Sequence, residues 1–227
     1  MIPRAHITAW RAHAPWATDD QVEQDLVQIE AGPIGPALGA VRLALDPWLG
    51  EPSARRNADS VKLLYRFETT ALPMQLARVK VEINTREHFS CRGIQTQQFA
   101  VATLWHTATV QLTTYDLEEL LGTKLRALYQ RKKGRDLYDL WRALTDLEID
   151  AKAVVSCFQA YMDHGATTVT RAMFEANLAA KLASRAFRED VLPLLRTGEA
   201  YDVDQAGALV RKQILARLPG EPWKGRT

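Results

Sequence analysis

The sequence predicts an α+β protein from three observations. Segments between residues 60 and 113 are rich in Val, Leu, Ile, Tyr and Phe, those after Thr114 repeat leucines at helical spacing, and the two kinds follow one another instead of alternating. That order implies a small sheet in residues 1–113 and a helical C-terminal subdomain in residues 114–227. A chain of 227 residues that is 47% hydrophobic can bury a core without staples.

The elements follow in order. After Gly32-Pro33 and Gly35-Pro36, the stretch ALGAVRLALDPWLG places Leu38, Val41 and Leu45 at helical spacing and predicts a short amphipathic helix stopped by Pro47. SVKLLYRFET and LARVKVEINT predict antiparallel strands with Pro73 in the turn between them. Two more strands, Gln98 to Leu104 and Ala108 to Thr113, complete the sheet. Thr114 is the expected N-cap of a helix whose first turn carries Asp116, Glu118 and Glu119, favourable to the helix dipole, and whose apolar stripe is Leu117, Leu121, Leu125 and Leu128. A helix after Gly134 follows, then others at about Ala151–Asp163, Thr170–Ala186 and Asp204–Leu218.

Composition excludes several classes. The two cysteines, Cys91 and Cys157, are far apart in sequence and form no metal-type pair, so a disulfide framework is not expected and a reducing, cytoplasmic setting is. No stretch resembles a signal peptide or a membrane span. A net charge of +2 implies no nucleic-acid binding by itself, so any such surface must be local. His6, His13, His88, His106 and His164 show no metal-ligand spacing, and the literal Asp202-Val203-Asp204 precedes the last helix, where Asp204 suits an N-cap.

Two constellations can carry chemistry. In Arg78–Asn84 the period-2 rule puts Val79, Val81 and Ile83 on one face and Lys80, Glu82 and Asn84 on the other. A lysine that neutralises phosphate charge beside a carboxylate that joins a metal cluster or acts as a base suits phosphoryl transfer; an ordinary half-exposed strand has the same pattern. The second lies between Lys124 and Trp141. Asp136 and Asp139 share one helix face, Lys124 and Arg131 another, and a helix pair could close them onto one pocket where Lys124 meets a triphosphate, Arg131 and Arg135 hold its neighbours and an aspartate orders the cations. Equally, Arg135 and Asp139 could form an exposed i,i+4 ion pair worth only a few tenths of a kcal/mol.

KVEINTREHF followed by TTYDLEELLGTKLRALYQRKKGRDLYDLW resembles the AbiEii/AbiGii family of nucleotidyltransferase-like toxins, and the opening IPRAHITAWRAHAPWATDDQVEQDLV resembles that family's N-terminal helices. The resemblance implies a polymerase β-type nucleotidyltransferase-like small mixed sheet. It also implies transfer of a nucleoside monophosphate from an NTP with Mg²⁺ onto an RNA such as tRNA, or onto a protein, within a toxin–antitoxin or abortive-infection system. A separate winged-helix antitoxin that represses transcription is the implied partner. The family's K-x-D/E motif falls on Lys80 and Glu82, and its second motif on Lys124, Arg131, Arg135, Asp136 and Asp139.

One motif is missing. The family's glycine turn and D-x-D strand have no counterpart: there is no Gly-Gly or Gly-Ser, and Gly122-Thr123 lies inside the Lys124 helix. QVEQDLV runs straight into QIEAGPIG, as though a segment were lost at a shared D-L-V, leaving an incomplete sheet. Glu23 and Asp25 stand where the metal-binding carboxylates would be. Loss of those carboxylates would remove the largest source of transition-state charge stabilisation. The competing expectation is therefore a catalytically inactive remnant that binds the antitoxin, or binds RNA through Arg126, Arg131, Lys132, Lys133 and Arg135.

Overall fold

The computed structural model describes residues 34–56, 60–69, 73–84, 89–102 and 107–225; the expected N-terminal helices, Glu23 and Asp25 lie outside them. The architecture is α+β. Helix α1 (Ile34–Leu49) precedes strands β1 (Ser53–Arg56), β2 (Ser60–Glu68), β3 (Leu76–Asn84), β4 (Ile94–Ala102) and β5 (Thr107–Tyr115). Helices α2 (Leu117–Gln130), α3 (Gly134–Asp146), α4 (Ala151–His164), α5 (Arg171–Leu182), α6 (Arg185–Glu189) and α7 (Val203–Gln213) follow. The chain divides into one compact unit of residues 1–89 and 95–114 and a second of residues 90–94 and 115–227.

In the first unit β1, β2 and β3 form an antiparallel sheet in that order, with Tyr65 opposite Val79 and Lys62 opposite Glu82. The apolar face buries Val61, Leu63 and Tyr65. The Tyr65 hydroxyl donates to Asp46 Oδ1 at 2.9 Å and so ties α1 to the sheet; burial and that carboxylate push the phenol up to about 12. Helix α1 runs through Pro47 to Leu49, two residues past the predicted stop. Proline falls in the last turn, where it removes one backbone bond, and the Trp48 indole donates to the Ala44 carbonyl at 2.7 Å. Gly50, at φ +78°, ends the helix with the left-handed residue such a terminus favours.

Strand β1, SARR, has no counterpart in the prediction because three exposed polar residues and one exposed alanine carry no hydrophobic period. The one sheet expected is two: β4 and β5 form a separate two-stranded sheet. Both faces of β4 mix Gln or Thr with apolar residues, so neither offers a continuous surface to bury, and Ile94, Phe99, Val110 and Leu112 are exposed.

The second unit holds the larger core, in which Leu125, Leu128, Leu137, Leu140, Phe158, Phe174, Leu178, Phe187 and Ile214 are fully buried. The predicted leucine stripe of α2 faces it, but the N-cap is Asp116, whose side chain accepts from the Glu118 N–H at 3.1 Å, because Thr114 still belongs to β5. Before α7 the cap is likewise Asp202 rather than Asp204. The predicted Thr170–Ala186 helix ends at Leu182, and α6 starts anew at Arg185. Among the described residues no helix is long and apolar enough to cross a membrane.

Two glycines set close approaches. A Cβ on Gly122 would stand 2.7 Å from Cys157 Cβ, where α2 meets α4. A Cβ on Gly134 would run into the Phe187 backbone carbonyl, which cannot rotate aside. Gly134→Ala should therefore destabilise the protein by about 2–3 kcal/mol, the range of overpacked cores, and a urea midpoint that stays at the wild-type value would contradict that packing.

Candidate phosphate-binding and catalytic groups

The first group sits on the exposed face of β2 and β3. Lys80 Nζ donates to Glu82 Oε2 at 2.7 Å, and Lys62 Nζ, brought opposite by the β2–β3 register, reaches Glu82 Oε1 at 2.7 Å. The hydrogen bonds from Lys62, then Lys80, hold the Glu82 carboxyl below its ordinary range, so it is ionised at neutral pH. Lys62 is absent from the residues the sequence singles out because only the register reveals it; its even spacing with Leu64 and Arg66 is the available clue.

The second group joins α2 to α3. Lys124 Nζ meets Asp139 Oδ2 at 2.6 Å across the helix pair. Arg131 reaches Asp136 through Nε at 2.7 Å and Nη2 at 2.6 Å, a bidentate fork. Asp136 is fully buried while the Arg131 side chain is 54% and the Lys124 side chain 44% exposed. Each cation is thus held by a carboxylate and still open to solvent. Arg135 does not pair with Asp139: its backbone N–H and its Nε face Asp190 Oδ2 at 3.4 and 3.7 Å, beside Lys133 Nζ on Asp190 Oδ1 at 3.1 Å. Arg126 stacks over the Tyr161 ring at 4.9 Å. Most of the basic run expected to bind RNA is therefore committed inside this unit.

Lys181, which no sequence motif singles out, completes the group. It is buried, and its ammonium donates to the carbonyls of Leu128 and Tyr129 at the end of α2, the latter at 2.7 Å. It thereby satisfies carbonyls the helix leaves unpaired. Lys181 follows Leu178 by three residues on an apolar stripe, and a lysine in a stripe is its only trace in the sequence. Burial lowers its pKa from 10.5 to about 8, against the opposing charge of Asp136. Below pH 8 folding carries the whole cost of burying the ammonium. Between pH 8 and 10.5 the folded state loses the proton first, so this residue's contribution to stability should rise across that window. Urea unfolding at stepped pH should show the rise in wild type and not in Lys181→Met; an identical slope in both would contradict it.

Other chemistry is poorly served. Cys91 and Cys157 are free thiols. Burial raises both, Cys157 to about 12, so neither is a ready thiolate. Among the described residues no three His, Cys, Asp or Glu side chains lie close enough together to hold a metal ion. Glu82 stands as a single carboxylate with both oxygens taken by lysines, which does not fit a Mg²⁺ site by itself. Asp204, part of the literal D-x-D, is paired with Arg188 at 2.8 and 2.7 Å and its partner Asp202 is the cap.

No curated protein and no solved structure matches the chain. The family described as nucleotidyl transferase AbiEii toxin of type IV toxin–antitoxin systems matches residues 24–208, which takes in every described group above and Asp25 but leaves Glu23 outside. That span is well over half of the sequence, and the chain belongs to the AbiEii nucleotidyltransferase toxin family, the toxin side of a type IV system whose other component is an antitoxin.

Proposed function

We propose that this chain transfers a nucleoside monophosphate from an NTP to an RNA acceptor, tRNA among the candidates, and that its antitoxin is a winged-helix repressor. The cytoplasm is the proposed setting, and a polymerase β-type core, reduced in its sheet, the proposed scaffold. Beside family membership, one observation supports the reading: Lys124 and Arg131 are cations fixed by Asp139 and Asp136 yet half open to solvent, a state suited to receiving phosphate oxygens without reorganisation.

In this reading an acceptor hydroxyl attacks the α-phosphorus, the bond to pyrophosphate breaks, and the hydroxyl proton passes to a carboxylate, for which Glu82 is the candidate. Lys80 is the candidate phosphate contact in the first unit and Lys124 that in the second, where Arg131 and Arg135 would hold neighbouring groups and Asp139 and Asp136 keep Lys124 and Arg131 in place. The described residues supply no complete metal site, so the assignment of a metal role to Glu82, Asp25 or Glu23 is tested by experiment rather than built into the steps.

Purified protein incubated with each labelled NTP and total tRNA, with and without Mg²⁺, should label RNA. Glu82→Ala and Lys80→Ala should lower the rate at least 100-fold, about 3 kcal/mol of barrier. No label from folded wild-type protein with any NTP contradicts the reading and leaves the binding remnant.

A further inference from the structure

The polar face of the β1–β2–β3 sheet carries more positive charge than its own carboxylates neutralise. Register fixes which residues share that face: Arg55 lies opposite Lys62, Lys62 opposite Glu82, Leu64 opposite Lys80, and Arg66 opposite Arg78. Glu68, opposite Leu76, lies at one end. Five cations therefore share the face with two carboxylates, in a chain whose whole net charge is only +2. Glu82 is taken by Lys62 and Lys80. Arg55, Arg66 and Arg78 are exposed, and among the described residues no carboxylate lies within ion-pair distance of them.

Two of the cross-strand pairs, Arg55 with Lys62 and Arg66 with Arg78, are like-charged and directly opposite, an arrangement that costs stability in the free sheet. An anion on the face would relieve it. The two rows stand about 13 Å apart along the strands, from four residues at roughly 3.3 Å each. One phosphate cannot span them, whereas a chain of phosphates can. A membrane surface fits less well, because the one large exposed apolar side chain on the face, Leu76, stands at its end opposite Glu68, and the central Leu64 is half-buried, so none lies between the two rows of cations to insert.

We propose that this face docks the phosphate backbone of a nucleic-acid strand, through Arg55, Arg66 and Arg78 together with Lys62 and Lys80. The proposal deepens the transferase reading, since Lys80 and Glu82 lie on this same face and RNA is the acceptor proposed there; binding here nevertheless needs neither an NTP nor turnover. Polyanion binding of this kind releases counterions, so affinity should fall steeply with salt.

The test is fluorescence anisotropy with a short single-stranded RNA across a salt series without nucleotide, and flotation with anionic phospholipid vesicles. Wild type should bind the RNA, and replacing Arg55, Arg66 and Arg78 together by Gln should lower the slope of log affinity against log salt by about 2, near 0.7 for each phosphate no longer neutralised. The Arg-to-Lys triple variant should keep most of the slope. The Gln variant should melt no lower than wild type, because it removes like-charge pairs, so weaker binding would not reflect unfolding. An unchanged slope in the Gln variant, or binding to vesicles and not RNA, overturns the proposal. RNA binding without nucleotide transfer would count against the transferase reading alone.

Discussion

Replacing Glu119 with alanine should cost about 4 kcal/mol, a large share of the roughly 5–15 kcal/mol that holds a domain folded. Glu119 lies in the first turns of α2 with no exposed surface. Its carboxylate accepts four hydrogen bonds: from Ser90 Oγ at 2.7 Å, the backbone N–H groups of Cys91 and Arg92 at 2.9 Å each, and the Tyr161 hydroxyl at 2.7 Å. Alanine would leave two backbone donors and two hydroxyls without this acceptor, at about 1–3 kcal/mol for each that water cannot reach. The segment Ser90–Ile94, which belongs to the helical unit, would lose this anchor to it. Urea unfolding should show the destabilisation, and limited proteolysis should cut first beside Arg92.

The same carboxylate gives an acid limb with a definite sign. Burial opposes ionisation, but the bonds from Tyr161, Ser90, Cys91 and Arg92 outweigh it and hold the carboxyl below its ordinary 4.5. Its stabilisation is therefore complete above pH 4.5 and lost as pH falls through the lower folded value. Glu119→Gln should flatten that limb.

Asp136→Asn should cost about 3 kcal/mol and weaken nucleotide binding as well. The amide preserves shape but turns a donor toward the Arg131 fork, and it removes the negative charge that faces both Arg131 and the buried Lys181. Removing one member of a buried pair strands the other; here Arg131 is half exposed and water recovers part of the cost, which keeps the figure at the lower end. The Lys181 pKa should fall further below 8, and its pH window should widen. An Asp136→Asn protein as stable as wild type would show that the fork contributes nothing.

The helical unit was legible because its leucines repeat at 3.6 residues with nothing competing: Leu121, Leu125 and Leu128 lie where the stripe puts them. The β2–β3 pair was legible from Val79, Val81 and Ile83 and the Pro73 turn. Boundaries failed where two residues of one type could serve, as with Asp202 and Asp204, since a cap is chosen by backbone geometry and not by composition. The division into two sheets was hidden because β-propensity says that Gln98 to Leu104 extends and not what it pairs with. Of the site, the Lys80–Glu82 and Lys124–Asp139 neighbourhoods follow from period and motif, whereas Lys62 and Lys181 arrive by register and tertiary packing, which no local pattern encodes.

If Lys124 receives a nucleotide's phosphates from a position set by Asp139, as proposed, a double-mutant cycle on NTP binding will register it. Titration calorimetry on wild type, Lys124→Ala, Asp139→Asn and the double variant should show affinity weakened 10-fold or more, about 1.4 kcal/mol, by each single change and little further when they are combined, because both act through one ammonium. Fully additive effects, or wild-type affinity in Lys124→Ala, would contradict the account.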